Sequence, residues 1–450
     1  MKKYPKYKET EVIWVKSLPD NWEELRVKYF SVFRNGYSFK GTDFYEDEKY
    51  PVVRIGDIQD GKVNLNEAKK VSKDIYEEAK KFSNKKGDIL LALTGATIGK
   101  SAIYDTDEIS LLNQRVAALR PNKKADIDFL KYLIEAPEFK TLIDFECYGG
   151  AQENIGKGQI TSAKFPIPSL PEQHAIVRFL DYKTGQIDTF IANRQKQIEL
   201  LKEQKAGIIN KAVTKGINPN AKMKDSGIEW IGEVPEHWEV MELKRLVNPQ
   251  RKITYGIVQP GEADPTGRYM IRGQDYSKGW ASAETIFKVS DEVEKSYARS
   301  RVIPGDILLT IVGAGCGNLE IVPDWLDGAN LTQTTARIAV DQRYHNSNFI
   351  YYSMVSEIGQ ANVNIYMKGA AQPGLNLGHV AIYKYPIPSK KEQEQINSYI
   401  NKECAERDKL IEKYQKQIDL MQEYRTSLIS QAVTGKIDVR EWQPKKQQIA

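Results

Sequence analysis

The chain has 450 residues, 41% of them hydrophobic, with a net charge of +5 and a pI near 8.7. That length predicts two to four domains, and the mildly basic balance permits a nucleic-acid partner without requiring one. No run of about 18 apolar residues spans a membrane, Met1-Lys2-Lys3-Tyr4 opens no secretory signal, and Cys147, Cys316 and Cys404 fit neither a disulfide framework nor a zinc ribbon, so a reducing cytoplasm is expected.

Taken in order, the chain reads as one unit written twice. Trp14 and Leu18-Pro19-Asp20-Asn21-Trp22 return as Trp230 and Val234-Pro235-Glu236-His237-Trp238. Val53-Arg54-Ile55-Gly56-Asp57 resembles Ile271-Arg272-Gly273-Gln274-Asp275, and Gly87-Asp88-Ile89-Leu90-Leu91 matches Gly305-Asp306-Ile307-Leu308-Leu309. Gly95, Gly99 and Gln114 correspond to Gly313, Gly317 and Gln333; Phe165-Pro166-Ile167-Pro168 corresponds to Tyr385-Pro386-Ile387-Pro388. Apolar runs at 89–93 and 307–312 predict strands, and segments 129–133 and 349–352 predict helices. Each globular part therefore reads as an α+β domain around a mixed β-sheet with short helices. The Pro-Ile-Pro stretches predict stiff strand exits, because proline fixes its own φ and restricts its predecessor.

A long helical pattern closes each copy, over 169–214 and 389–434. Spacings of four and three run through Leu180, Thr184, Ile187, Ile191, Arg194, Ile198, Leu201, Lys205 and Ile208. In the second copy they run through Ile400, Cys404, Arg407, Ile411, Tyr414, Ile418, Met421, Arg425 and Leu428. This is a heptad seam, and each helix is the obvious partner of the other; connectivity allows either direction of pairing. Ile176, Phe179, Phe190, Leu200 and Ile209, with Ile396, Tyr399, Leu410, Leu420 and Ile429, widen the apolar stripe and predict a further buried surface. Ser169 with Glu172, and Ser389 with Glu392, predict capping boxes. Gly216 and Gly435 predict C-caps. Gly185 and Gly207 weaken the first helix; Ala405 and Ser427 stand in their places in the second. The expected divisions are 1–168, 169–215, 216–388, 389–434 and a tail at 435–450.

No catalytic constellation emerges. Gly95-Ala96-Thr97-Ile98-Gly99-Lys100-Ser101 has three residues between its glycines where a phosphate-binding loop needs four, and Gly313-Ala314-Gly315-Cys316-Gly317-Asn318 lacks the Lys-Ser. Asn248-Pro249-Gln250 lacks the aromatic residue of an adenine-clamping motif. His174, His237, His345 and His379 show no metal-ligand spacing. What remains is polar loop chemistry suited to DNA, since Arg, Gln and Asn bond to base edges while Lys and Arg hold phosphates. The first copy offers Arg54, Lys100, Asn113, Gln114, Arg115, Gln152, Asn154 and Lys157. The second offers Arg272, Asn318, Gln333, Thr334, Thr335, Arg337, Lys368, Gln372 and Asn376.

In this arrangement the chain resembles the specificity subunit of a type I restriction–modification system. The resemblance covers essentially the whole length. It rests on the tryptophan starts, the Gly-Asp-Ile-Leu strands, the Pro-Ile-Pro exits, and the helix openings Glu172-Gln173 and Glu392-Gln393. It implies two target recognition domains, each reading half of a bipartite DNA site, and long spacer helices that pair antiparallel. It implies no catalysis and no cofactor on this chain. Two methyltransferase subunits would carry S-adenosylmethionine, and a full complex would add translocating and cleaving subunits using ATP and Mg. Arg115 opposite Thr334 predicts two different half-sites. A non-enzymatic coiled-coil scaffold joining two protein-binding modules is the alternative expectation.

Overall fold

The computed structural model describes residues 2–12, 14–59, 61–95, 98–147, 155–367 and 373–444. Two units emerge, Met1–Gln195 with Lys416–Ala450, and Lys196–Gln415. Each combines one globular part with a portion of both long helices.

In the first unit the strands are β1 (Ser31–Asn35), β2 (Tyr50–Val53), β3 (Asp88–Ala92), β4 (Ser101–Tyr104), β5 (Leu111–Leu112) and β6 (Val116–Pro121). They are followed by α1 (Ile127–Glu135) and α2 (Leu170–Lys215). The main sheet is antiparallel, in the order β4-β3-β6-β1. A smaller sheet places β2 between β5, which runs parallel to it, and the strand Lys70–Val71.

The second unit repeats this order. Its elements are β7 (Thr254–Tyr255), β8 (Arg268–Ile271), β9 (Ile307–Thr310), β10 (Leu319–Ile321), β11 (Asn330–Leu331), β12 (Thr335–Ile338), α3 (Ser347–Val355) and α4 (Lys390–Val433). The main sheet runs β7-β12-β9-β10, and β8 lies between the parallel β11 and the strand Lys288–Val289. The expected mixed α+β fold is therefore present twice, with its sheet divided in two.

The central strand shows why. Every residue of β3 is buried, and side chains alternate between its faces. Ile89 and Leu91 join the core that includes α1 and α2, whereas Leu90 joins a second core with Val53 and Leu112. Ile307 and Leu309 against Leu308 do the same in β9. At the head of β3, Asp88 is fully buried, accepting from Lys85 N at 2.8 Å, Arg120 at 2.5 Å and Arg34. Asp306 accepts from Arg251 at 2.8 and 2.6 Å and from Ile303 N at 2.9 Å. A buried carboxylate is costly unless it is paired and hydrogen-bonded, as both of these are.

The Pro-Ile-Pro exits are strands, Lys164–Ile167 against Glu23–Arg26 and Lys384–Ile387 against Glu239–Glu242. They feed the long helices. Within each unit the two helices run antiparallel. In the first, Asp188 pairs with Arg425 at 3.3 Å, and the start of α2 and the end of α4 meet at Trp22. In the second, Lys205 pairs with Asp408, and the end of α2 and the start of α4 meet at Trp238.

Leu180, Ile187, Ile198, Ile400, Ile418 and Leu428 are buried, and Ile191, Leu201, Ile208, Ile411, Tyr414 and Met421 are half-buried. The wider stripe splits. Ile176, Phe179, Ile396 and Ile429 are buried by the globular parts, while Leu200, Tyr399, Leu410 and Leu420 stay exposed.

Gly216 and Gly435 take φ of 70° and 71°, as C-cap glycines do. The capping boxes are a correction. Ser389 accepts from Glu392 N at 3.4 Å, but neither glutamate carboxylate turns back to its own helix start. Glu172 instead accepts from Trp22 Nε1, Tyr4 Oη and Asn21 Nδ2 at 2.9, 2.6 and 2.8 Å. Glu392 accepts from Trp238 Nε1 at 3.2 Å and contacts His237 Nε2 at 2.9 Å. The neighbouring glutamines tie three segments together. Gln173 accepts from Asp126 N and donates to Lys124 and Pro168 carbonyls; Gln393 accepts from Asn346 N and donates to Pro388.

Candidate nucleic-acid interface

The polar loops singled out in the sequence lie on one backbone frame, used in both units. Gln114 N donates to Tyr37 O at 2.8 Å, and Gln333 N donates to Ile257 O at 2.9 Å. Leu93 N donates to Arg115 O at 2.9 Å, and Ile311 N to Thr334 O at 2.8 Å. Ala92 N donates to Lys100 O, and Thr310 N to Asn318 O, at 2.8 and 2.9 Å. Lys100 and Arg115 thus flank the end of β3, and Asn318 and Thr334 flank the end of β9.

Glycine makes the frame possible. A Cβ on Gly36 would stand 2.1 Å from Asn113 O, and one on Gly256 would stand 1.9 Å from Leu331 O. Only glycine lets the backbones come this close.

The glycine-rich segments are not phosphate-binding loops. Each joins two antiparallel strands, β3 to β4 and β9 to β10. A phosphate loop leads into a helix whose N-terminal amides hold the anion, and here a strand follows instead. Ala96 and Thr97 lie outside the described residues.

The candidates divide by burial. Lys100, Gln114, Arg115, Lys157, Asn318, Gln333 and Asn376 are exposed, and Thr334 is half-buried. Arg337 and Thr335 are corrections: they are 3% and 0% exposed. The Arg337 guanidinium donates to the carbonyls of Arg299, Arg301 and Lys252 at 2.7, 2.8 and 3.1 Å, which leaves it no reach toward a ligand. Asn113 is nearly buried, and its Oδ1 accepts from Arg115 N at 3.1 Å. Asn376 caps a short helix through Gly378 N at 2.7 Å. Gln152, Asn154, Lys368 and Gln372 lie outside the described residues.

Arg54 and Arg272 open matching turns. Each backbone N–H donates to a buried aspartate, Asp57 or Asp275, at 2.8 Å. The Arg272 guanidinium also bonds Asp275 at 2.9 and 3.2 Å and stands 5.8 Å over the Phe287 ring. In the second unit the structure gathers Arg272, Gln333 and Thr334 around one cleft of about 520 Å³. Gln274, Ser277 and Thr310 also line it. These three were not legible as site residues, because their common cleft is formed by segments that run from Ile257 to Thr334.

The geometry defines a class: one α+β head with a polar edge, packed on a portion of both long helices, and present in each of the two units. Residues 19–200 match the family model described as the type I restriction modification DNA specificity domain. The chain is 25% identical over 432 residues to the type I restriction enzyme EcoBI specificity subunit of Escherichia coli, covering 94% of this chain and 87% of that one. It is 28% identical over 442 residues to the putative type I restriction enzyme MjaX specificity subunit of Methanocaldococcus jannaschii, covering 96% and 97%. A solved structure concerned with complex assembly and conformational transition of a type I R-M system shares the fold, with a TM-score of 0.66 at 14% identity over 93% of this chain and 99% of that one. Over residues 19–200 the chain matches that family's model, and over nearly its whole length it is similar to specificity subunits of type I restriction enzymes.

Proposed function

We propose that this chain is the DNA-recognition subunit of a type I restriction–modification complex. Each globular part reads one half of a bipartite, asymmetric site on double-stranded DNA, and the paired helices set the gap between the halves. The observation that carries this reading is the shared frame with different side chains at its edge. One scaffold presents Lys100 and Arg115 in one head, and Asn318 and Thr334 in the other. Readers of two half-sites joined by a rigid separator fix half-site spacing in this way.

The chain acts without catalysis of its own. Two methyltransferase subunits dock on it and supply S-adenosylmethionine chemistry, and restriction or translocating subunits add ATP- and Mg-dependent steps. The complex works in the cytoplasm; among the described residues no helix is long and apolar enough to cross a membrane.

Co-purification with the methyltransferase subunit, followed by DNA-binding titrations at increasing salt, tests the reading. Neutralised phosphates release counterions, so affinity should fall steeply with salt. A chain that binds proteins but shows no DNA affinity at any salt would instead be a coiled-coil scaffold.

A further inference from the structure

Residues that are the same in both heads cannot make the half-sites differ. Gln114 and Gln333 are alike, and so are Arg54 and Arg272. At equivalent places on the frame, the first head has Arg115 where the second has Thr334, and Lys100 where the second has Asn318.

Arg115 differs from the other arginines named in the interface. Arg54 and Arg272 lie beside Asp57 and Asp275, and Arg337 is spent on backbone carbonyls. Arg115 is exposed, and among the described residues its guanidinium makes no ion pair. Its backbone is nevertheless fixed: its N–H donates to Asn113 Oδ1 at 3.1 Å, and its carbonyl accepts from Leu93 N at 2.9 Å. A donor fork on a rigid turn loses little freedom on binding. Thr334 is the opposite case. Its hydroxyl is bonded to that of Thr332 at 2.8 Å, within its own turn.

Resting on the DNA-recognition reading above, we propose that Arg115 fixes a guanine in the half-site read by the first head, and that Thr334 frees the second half-site from that requirement at the equivalent step. Guanidinium carries only donors, in a planar fork, and guanine alone presents two acceptors, O6 and N7, in the major groove. Adenine and cytosine present an amino donor there, which the fork cannot accept. Lys100, across the end of β3, adds a second cation suited to the adjacent phosphate.

The test uses the full chain with its methyltransferase subunit. Methylated sites are mapped for the wild type, Arg115→Gln and Thr334→Ala. In Arg115→Gln one G·C position in one half of the motif should relax, with discrimination falling about tenfold to a hundredfold. The other half should stay as it was, and Thr334→Ala should leave the guanine requirement intact. An unchanged Arg115→Gln motif overturns the proposal. So does a uniform loss over all sites with a shallower salt slope, which marks a phosphate contact.

A second measurement needs no variant. Each guanine of that half-site is replaced in turn by 7-deazaguanine, which lacks the N7 acceptor. One replacement should weaken binding by the wild-type complex about tenfold, and no effect at any position overturns the proposal. A wild-type complex that yields no gapped motif at all defeats the recognition reading itself, which is a distinct result.

Discussion

The indole nitrogen of Trp22 donates to the buried carboxylate of Glu172 at 2.9 Å, across 150 residues of chain. The bond ties the first globular part to the start of α2. Gly435, at the end of α4, packs against the same indole: a Cβ there would stand 3.5 Å from Trp22 and 2.5 Å from Pro19. Trp238 repeats the arrangement between Glu392 and Gly216, where a Cβ would stand 3.2 Å from the ring. Each tryptophan is thus a rivet through one helix start and one helix end.

Removing the Glu172 acceptor leaves the Trp22, Tyr4 and Asn21 donors without it, two of them buried. Glu172→Ala should destabilise the chain by about 2–4 kcal/mol, since each orphaned buried donor costs about 1–3 kcal/mol. Glu392→Ala should cost less, because the His237 side chain is 59% exposed and regains water. Urea midpoints at constant m-value would show this order; equal losses would refute it.

His345 predicts a pH dependence. It is 9% exposed, and burial holds its pKa below the ordinary 6.5, with Asp341 opposing. As pH falls below about 6.5, the unfolded chain takes up a proton that folded His345 resists, so this residue's contribution to stability declines toward its own lowered pKa. Thermal midpoints of His345→Gln measured between pH 7.5 and 5 should fall less steeply than those of the wild type. Parallel curves would assign the acid sensitivity elsewhere.

Gly185 sits on the exposed side of α2, with open space where a Cβ would stand. Gly185→Ala should add about 0.5–1 kcal/mol by restricting the unfolded chain. Gly36→Ala should do the reverse. Its Cβ would collide with the Asn113 carbonyl, and forcing atoms into such a junction costs about 1–3 kcal/mol or more. Denaturant titration of both variants checks the opposite signs.

Removing one heptad from each long helix, at facing positions, shortens the separator by about 10 Å at 1.5 Å per residue. The preferred gap should contract by about three base pairs at 3.4 Å each. Methylation of duplexes with graded gaps measures this directly, and an unmoved optimum would remove the helices from gap setting.

Much of this was readable in the residues. The duplication, the heptad seam, the Pro-Ile-Pro strands and the C-cap glycines are local patterns, and local patterns survive in a sequence. Contacts between distant segments do not. Ser-x-x-Glu reads as a capping box because both residues are local, yet the Glu172 partners lie 150 and more residues upstream. The sequence offers Arg337 to DNA, because it does not reveal that three carbonyls converge on the guanidinium. The antiparallel direction of the helices is implied by the family resemblance alone; within the first unit it is visible in Asp188 with Arg425 and the ends that meet at Trp22, and within the second in Lys205 with Asp408 and the ends that meet at Trp238. Gln274, Ser277 and Thr310 were missed, since only folding brings them to one cleft.

The most direct test is to express this chain with the methyltransferase subunit proposed as its partner, in a host lacking other adenine methylation, and to map every methylated adenine. One bipartite motif with two unlike halves and a fixed gap is the expected result. A continuous motif, a palindromic one, or no methylation from an assembled complex would contradict it.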